Sequence, residues 1–333
     1  MEDEFLENVI GFDALYKSMM KCRKGVSYKD SVAYYCLNGI KETIRLEREL
    51  KNGKYEPGPQ RMVHITHPKP REAVAISFRD RVYQRSLNDN IIYPAMSRSF
   101  IYDNAACQKG KGTDFARDRL DEFLHQYYRK YGINGYVLQT DIKGYYQNMS
   151  HEVAEQCFRR YLPDEIYQRT ETILRNQYEG EVGYNPGSQM VQIAGISVLS
   201  PLDHYIKEQL RVKFYQRYMD DAWHIHPDLD FLGYCLRKER SFIANYGFQF
   251  HPDKTKIYKL KKGIHVLGFT HRLTDTGKVI RILDPKNVKN ERKKLYRMAQ
   301  KVKSGEMTRE KVDQCYESWK AHASKGNSFK LLQ

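Results

Sequence analysis

The segment FYQRYMDDAWHIH sets two aspartates, Asp220 and Asp221, side by side in a run otherwise suited to a buried strand. Adjacent carboxylates repel one another and lose hydration when buried, so a folded chain keeps them only where something compensates their charge. A bound cation is the economical answer, and hard carboxylate oxygens suit Mg2+. Neighbouring side chains on a strand point to opposite faces, so the pair can share a site only where a turn breaks the alternation. Asp220 and Asp221 are therefore placed at a hairpin tip. By itself an Asp-Asp pair is an ordinary turn cap. A metal site needs a further carboxylate, and Asp141, near the end of the short apolar run GYVLQTDI, is the candidate. Three carboxylates can hold two Mg2+ ions about 4 Å apart, one lowering the pKa of an attacking hydroxyl and the other steadying a leaving oxygen.

The elements that must position these residues follow from periodicity. Residues 1–53 carry helix-like spacing at Tyr34, Leu37, Ile40 and Ile44, with Leu46 and Leu50 further on, and stop at KNGKYEPGP. RMVHITH (61–67) alternates as a strand does, and EAVAISF follows as a second short strand. Helical spacing returns in RDRVYQRSLNDNIIYPAM, and a charged amphipathic helix is expected between Thr113 and Gly132. GYVLQTDI is short and rich in Val, Leu and Ile, which favours a buried strand. Two helices, HEVAEQCFRRYL and EIYQRTETILRNQY, precede PGSQMVQIAGISVLSPLDHYIKEQL, which opens with a Gly turn and continues as one long helix. After the Asp-Asp hairpin come a helix over FLGYCLRKERSFIANYG and strand-like runs in FQFHPDKTKIYKL and GIHVLGFTHRL. The basic helix VKNERKKLYRMAQKV then puts Val288, Leu295, Met298 and Val302 on one stripe.

Charge points to the partner. The 333 residues hold 56 Lys and Arg against 41 Asp and Glu, a net charge of +15. From Asp253 to Gln333 there are 21 basic and 8 acidic residues, so most of the imbalance sits in the last quarter. Such a run is often only a solvated face, but its concentration favours a polyanionic partner, a nucleic acid. The 26 tyrosines suit base stacking and plain packing alike. Six cysteines without a CxxC spacing suggest neither a zinc site nor a disulfide framework and fit reduced thiols. The N-terminus MEDEFLENVIGF is acidic, and no apolar run reaches about 18 residues, so neither a signal peptide nor a membrane span is expected. The expectation is a cytoplasmic protein with no membrane partner.

The order of motifs carries a resemblance. YQRYMDDAW is similar to the signature hairpin of reverse transcriptases; LQTDIKGYYQNM resembles the first palm motif of that family, PGSQMVQ the second, GFQFHPDKTKI the fourth and VLGFTH the fifth. Several motifs in order, from roughly Lys51 to Leu332, are far more specific than YMDD alone. The resemblance implies an α+β right-hand polymerase with fingers, an antiparallel palm sheet with flanking helices and a helical thumb. Its parts would be an N-terminal helical extension (1–50), fingers and palm (51–280) and a basic thumb (281–333).

The resemblance also implies roles. Asp141, Asp220 and Asp221 match the metal triad, Asp141 and Asp220 being the ligands of both ions, and Ile142 falls among the metal-binding positions. The cofactor is a pair of Mg2+ ions, with Mn2+ able to substitute. Tyr146 matches the steric gate whose ring collides with a 2′-hydroxyl and so selects deoxynucleotides; without the family it is a core tyrosine. Lys69 and Arg71 resemble the cations that grip the incoming triphosphate, and Gly187 and Gln192 fall where the second motif meets the nascent pair. Lys254 matches a lysine that donates a proton to departing pyrophosphate.

Implied partners are an RNA template, a nucleic-acid primer, deoxynucleoside triphosphates, a structured noncoding RNA and an accessory protein. ESWKAHASKGNSFKLL, KNGKYEPGPQ and SFRDRVYQRSL resemble bacterial and phage retroelement enzymes, nearest to the reverse transcriptases of diversity-generating retroelements. Pro186 and Val191 depart from the second motif of that subgroup, which puts adenine-directed mutagenesis in doubt. Retron, defence-associated (antiviral) and group II intron-like enzymes are neighbouring readings. A maturase-like RNA scaffold is the alternative from another class, and a metal nuclease, which needs no sugar gate or thumb, the weakest.

Overall fold

The structure, a computed structural model, describes residues 2–65, 71–178, 180–185, 187–328 and 331. The chain begins with α1 (Glu2–Ile10), α2 (Phe12–Cys22), α3 (Asp30–Leu37) and α4 (Gly39–Lys51), then a hairpin of β1 (Arg61–Ile65) and β2 (Arg71–Ala75). α5 (Phe78–Leu87), α6 (Tyr93–Met96) and α7 (Thr113–Tyr131) lead into β3 (Tyr136–Asp141). Next come α8 (His151–Arg159), α9 (Asp164–Gln177), α10 (Gln189–Val198) and α11 (Ser200–His204). The chain continues through β4 (Phe214–Tyr218), β5 (Asp221–His226), α12 (Leu229–Ala244), β6 (Lys256–Lys259), β7 (Ile264–Val266), β8 (Phe269–Leu273) and β9 (Val279–Leu283). It closes with α13 (Pro285–Lys303) and α14 (Arg309–Ala323). Helices and wholly antiparallel sheets make this an α+β fold. No helix among the described residues is long and apolar enough to cross a membrane.

The described residues form two compact units, each discontinuous in sequence. The first comprises residues 1–108, 142–205 and 239–250, and the second 109–141, 206–238 and 251–333.

In the first unit α2 packs on α4 and α5, burying Leu15, Met19, Leu46, Leu50, Val82 and Leu87. Fully burying each such side chain stabilises the fold by about 1.5–3 kcal/mol. The expected apolar stripe of the N-terminal lobe is only half correct. Tyr34, Leu37 and Ile40 are exposed at 67%, 85% and 62%, whereas Leu46 and Leu50 are buried. The chain breaks at Asn38, between α3 and α4, so the helical phase resets there and one stripe cannot run through both. The expected long helix over 186–210 is likewise interrupted. α10 starts at its N-cap Ser188, whose hydroxyl accepts from the Val191 amide at 3.2 Å, and stops at Leu199. Pro201, lacking an amide hydrogen, sits in the first turn of α11 instead, and a π-helical turn over Tyr205–Gln209 follows.

In the second unit the strands run β4-β5-β3-β6. α7 lays Leu120, Phe123, Leu124 and Tyr127 against Val137, Phe214, Trp223 and Ile225 of this sheet. β7, β8 and β9 form a separate three-stranded sheet. Asp121 of α7 ties to it by accepting from Arg281 Nε at 2.7 Å and meeting His271 Nδ1 at 2.6 Å, while Arg281 Nη2 also reaches Asp118 at 2.5 Å. α13 begins at the Asp284 cap with Pro285 in its first turn. Its Val288, Leu295, Met298 and Val302 are half-buried while its lysines and arginines are exposed, the one-sided stripe expected for it. Val288 and Trp319 pack on Phe269, Leu283 and Ala323.

Candidate active site

The site lies within the second unit, at one end of its four-stranded sheet. β4 and β5 pair antiparallel with Tyr218 opposite Asp221, leaving Met219 and Asp220 as a two-residue turn. Such tight hairpin turns need positive φ, and Met219 adopts φ +55°, a conformation costly for a residue with a β-carbon. The buried Arg217 holds the turn by donating from Nη1 to the Met219 carbonyl at 2.8 Å. The alternation therefore breaks one residue before the pair is complete: Asp220 belongs to the turn and Asp221 opens β5.

β3 pairs with β5 on its other side, and Asp141 is the register partner of Asp221. Like charges placed directly across a ladder destabilise it. Asp141 is held there by the segment that enters β6. Its amide donates to Thr255 Oγ1 at 3.2 Å, its carbonyl accepts from the His251 amide at 2.7 Å, and its carboxylate receives Lys254 Nζ at 3.0 and 2.8 Å. The pairing of β6 with β3, Lys256 opposite Gln139, delivers that segment.

Burial pushes the Asp221 carboxyl up to about 7, helped by the charges of Asp220 and Asp141 and opposed by Lys254. Burial also raises Asp220, with Asp141 adding to it, while its own backbone amide, Lys254 and Arg217 pull it down. Lys254 is itself raised, chiefly by its hydrogen bond to Asp141. Burial is thus the main penalty on these carboxylates, with their neighbours' charges adding to it and Lys254 opposing it.

Among the described residues no three His, Cys, Asp or Glu side chains stand in metal-ligating geometry, and an ammonium rests on the Asp141 carboxylate. The chemistry of the donor set nevertheless suits a divalent ion: the carboxylates are hard oxygen donors, and Asp220 and Asp221 are raised by burial and by neighbouring carboxylates, a cost that a bound cation would relieve.

Ile142 is buried and bridges to Phe250. Tyr146, in the first unit, is half-buried, its carbonyl accepting from the Tyr184 amide at 2.8 Å. Gly187 approaches β2 so closely that a β-carbon would stand 2.7 Å from the Val74 carbonyl oxygen, so its small size serves packing on the hairpin. Gln192 is exposed on α10. Arg71 lies on β2, its side chain not described, and Lys69 and Pro186 fall outside the described residues.

Sequence reasoning missed Arg217, Thr255 and His251. An arginine within FYQRY was the available signal, since a buried strand keeps a guanidinium only for a partner. Thr255 and His251 act through backbone and hydroxyl contacts that no spacing announces.

A sequence profile described as reverse transcriptase (RNA-dependent DNA polymerase) matches residues 67–271, well over half of the chain. No curated protein matches. Among solved structures, telomerase from Candida albicans in complex with a TWJ fragment of telomeric RNA aligns with a TM-score of 0.50 at 11% identity, over 73% of this chain and 51% of that one. Apo telomerase from Candida tropicalis, truncated from its C-terminal domain, aligns with a TM-score of 0.47 at 12% identity, over 73% and 60%. The chain spans about half the length of the first of these, and at such identity the likeness speaks to fold alone. The matched span contains β3, the Asp-Asp hairpin and Lys254, and on that match the chain belongs to the reverse transcriptase (RNA-dependent DNA polymerase) family.

Proposed function

We propose that the protein is an RNA-directed DNA polymerase that extends a primer 3′-hydroxyl on an RNA template. The observation that carries this is the register of β3 against β5, which sets Asp141 opposite Asp221 beside the turn residue Asp220. In this reading Asp141, Ile142, Asp220 and Asp221 hold two Mg2+ ions, for which Mn2+ substitutes. When bound, the ions supply the positive charge that lowers the pKa of the attacking hydroxyl and steadies the leaving oxygen. Arg217 keeps the turn in its strained form, and Thr255 and His251 fix the Asp141 backbone. Tyr146 excludes ribonucleotides, Lys69 and Arg71 bind the triphosphate, Gly187 and Gln192 lie along the nascent pair, and Lys254 supplies a proton to pyrophosphate. The division into an N-terminal extension (1–50), fingers and palm (51–280) and a basic thumb (281–333) belongs to the same proposal.

Among retroelement enzymes the diversity-generating class is favoured by the segments KNGKYEPGPQ, SFRDRVYQRSL and ESWKAHASKGNSFKLL. Its partners would be a structured noncoding RNA and an accessory protein. Retron, defence-associated and group II intron-like enzymes share the same polymerase site. The basic stretch from Asp253 to Gln333 supports an RNA scaffold as the competing activity. Primer extension on poly(rA) with oligo(dT) decides between them. The unsubstituted protein is expected to make labelled product with Mg2+ or Mn2+, and the Asp220→Asn protein almost none. No product with either ion, or undiminished product from Asp220→Asn, contradicts the polymerase; RNA affinity and biological activity surviving in Asp220→Asn favours the scaffold.

A further inference from the structure

Gly195 sits in the middle of α10, between the fully buried Ala194 and Ile196. A glycine inside a helix costs about 1 kcal/mol relative to alanine, so its presence there needs a reason. Gly195 adopts no left-handed backbone, so conformational freedom is not that reason. Space is. A β-carbon on Gly195 would stand 3.0 Å from Tyr146 Oη, 3.2 Å from Cε1 and 3.3 Å from Cζ, tighter than ordinary carbon contacts. The edge of the Tyr146 ring occupies the volume that a methyl group would fill.

The surroundings leave the ring as the part that gives. The Tyr146 backbone is tied by the Tyr184 amide at 2.8 Å. Its neighbour Tyr145 is fixed to the same helix position, donating its hydroxyl to the Gly195 carbonyl, and the two tyrosine rings lie 5.4 Å apart at 53°. Moving Gly195 would therefore strain the buried Tyr145, whereas Tyr146 is only half-buried, so the crowding falls first on the Tyr146 ring.

We propose that Gly195 is a specificity-setting residue: it is the slot that fixes how far the Tyr146 ring sinks against α10, and so sets how closely the ring approaches the sugar of an incoming nucleotide. This rests on Tyr146 being the sugar gate. Filling the slot with a methyl group raises the ring by a few tenths of an ångström, and displacements well under 1 Å at a reacting substrate alter its binding severalfold. Because the deoxyribose itself lies against the ring, the deoxynucleotide is penalised by the same movement that further crowds a 2′-hydroxyl.

The test uses the full chain on an RNA template with a DNA primer, comparing dATP with ATP. Gly195→Ala is expected to raise KM for dATP by about three- to tenfold with kcat little changed, and to shift the dATP/ATP ratio of kcat/KM by at least about threefold. Alanine improves helix propensity, so the melting temperature should hold or rise, separating the effect from misfolding. In a Tyr146→Ala background the same substitution should change neither KM nor the ratio. Tyr146→Phe, which removes the closest contact, should soften the effect of Gly195→Ala. Unaltered KM and ratio in Gly195→Ala, or equal changes with and without Tyr146, overturn the inference while leaving the gate in place. A Tyr146→Ala protein that still discriminates as before overturns the gate itself, and this inference with it.

Discussion

Replacing Asp221 by Asn should make the protein more stable without divalent ions and yet reduce primer extension by on the order of 10³-fold or more, the cost typical of losing a group that organises charge in a transition state. Both effects come from one feature. Asp221 is buried opposite Asp141 and next to Asp220, and its carboxyl is pushed up to about 7. The folded protein therefore binds a proton here more tightly than the unfolded chain, whose value is that of an ordinary aspartate. Between about pH 4 and pH 7 folding carries this extra proton, so stability falls as pH rises through that window and levels off above it. Asparagine cannot ionise, and the slope assigned to this residue should vanish. Thermal melts in EDTA across pH 4 to 8 check this: above about pH 7 the Asp221→Asn protein should melt several degrees higher than the unsubstituted one, with the gap closing toward pH 4. Added Mg2+ should narrow or reverse the difference, because only the intact cluster gains from binding. Parallel melting profiles at all pH values would show that folding does not raise the Asp221 carboxyl.

Lys254→Ala should bind Mn2+ more tightly while turning over more slowly. In the absence of metal the Lys254 ammonium sits on both oxygens of Asp141, at 3.0 and 2.8 Å, so a divalent ion must displace it. The lysine is half-exposed and its partner buried, 53% against 8%, which limits the pair to roughly 1 kcal/mol. Removing the competitor should therefore improve Mn2+ affinity by about five- to tenfold. The same contact keeps Lys254 protonated and makes it a weak acid until Asp141 is otherwise engaged. If the freed lysine then protonates pyrophosphate, its loss costs about 10²- to 10⁴-fold in kcat. Calorimetric or electron-spin titration with Mn2+, alongside single-turnover extension, separates the two. Unchanged or weaker Mn2+ binding in Lys254→Ala would mean that the lysine does not guard the site.

The carboxylates could be located in the sequence because their cost is local: two aspartates in an apolar run, and a third at the end of another, are conspicuous whatever the tertiary structure. Their exact pairing could not. That Asp141 faces Asp221 rather than Asp220 depends on the two-residue turn at Met219 and Asp220 and on a β3–β5 register joining segments far apart in the chain. β4 is buried on both faces through Phe214, Tyr215, Gln216 and Arg217, so alternation gives no phase there, and an arginine within a largely aromatic strand signals a buried partner without saying which. Helical periodicity failed at Asn38 and Leu199, where short breaks reset the phase and the Gly39 and Pro201 that mark them fall in the first turn of the next helix rather than in a loop. It succeeded for α13, whose single stripe lies within one uninterrupted helix. Gly195 drew no notice because a glycine in an apolar helix is explained only by what leans on it, here Tyr146.

Anomalous scattering from crystals of the full chain grown with primer, RNA template and Mn2+ tests most directly whether Asp141, Asp220 and Asp221 form one divalent-metal centre. Two peaks about 4 Å apart, within coordination distance of Asp141 and of the Asp220–Asp221 turn, are predicted. Ordered nucleic acid at the sheet end with no Mn2+ on these three carboxylates would contradict it.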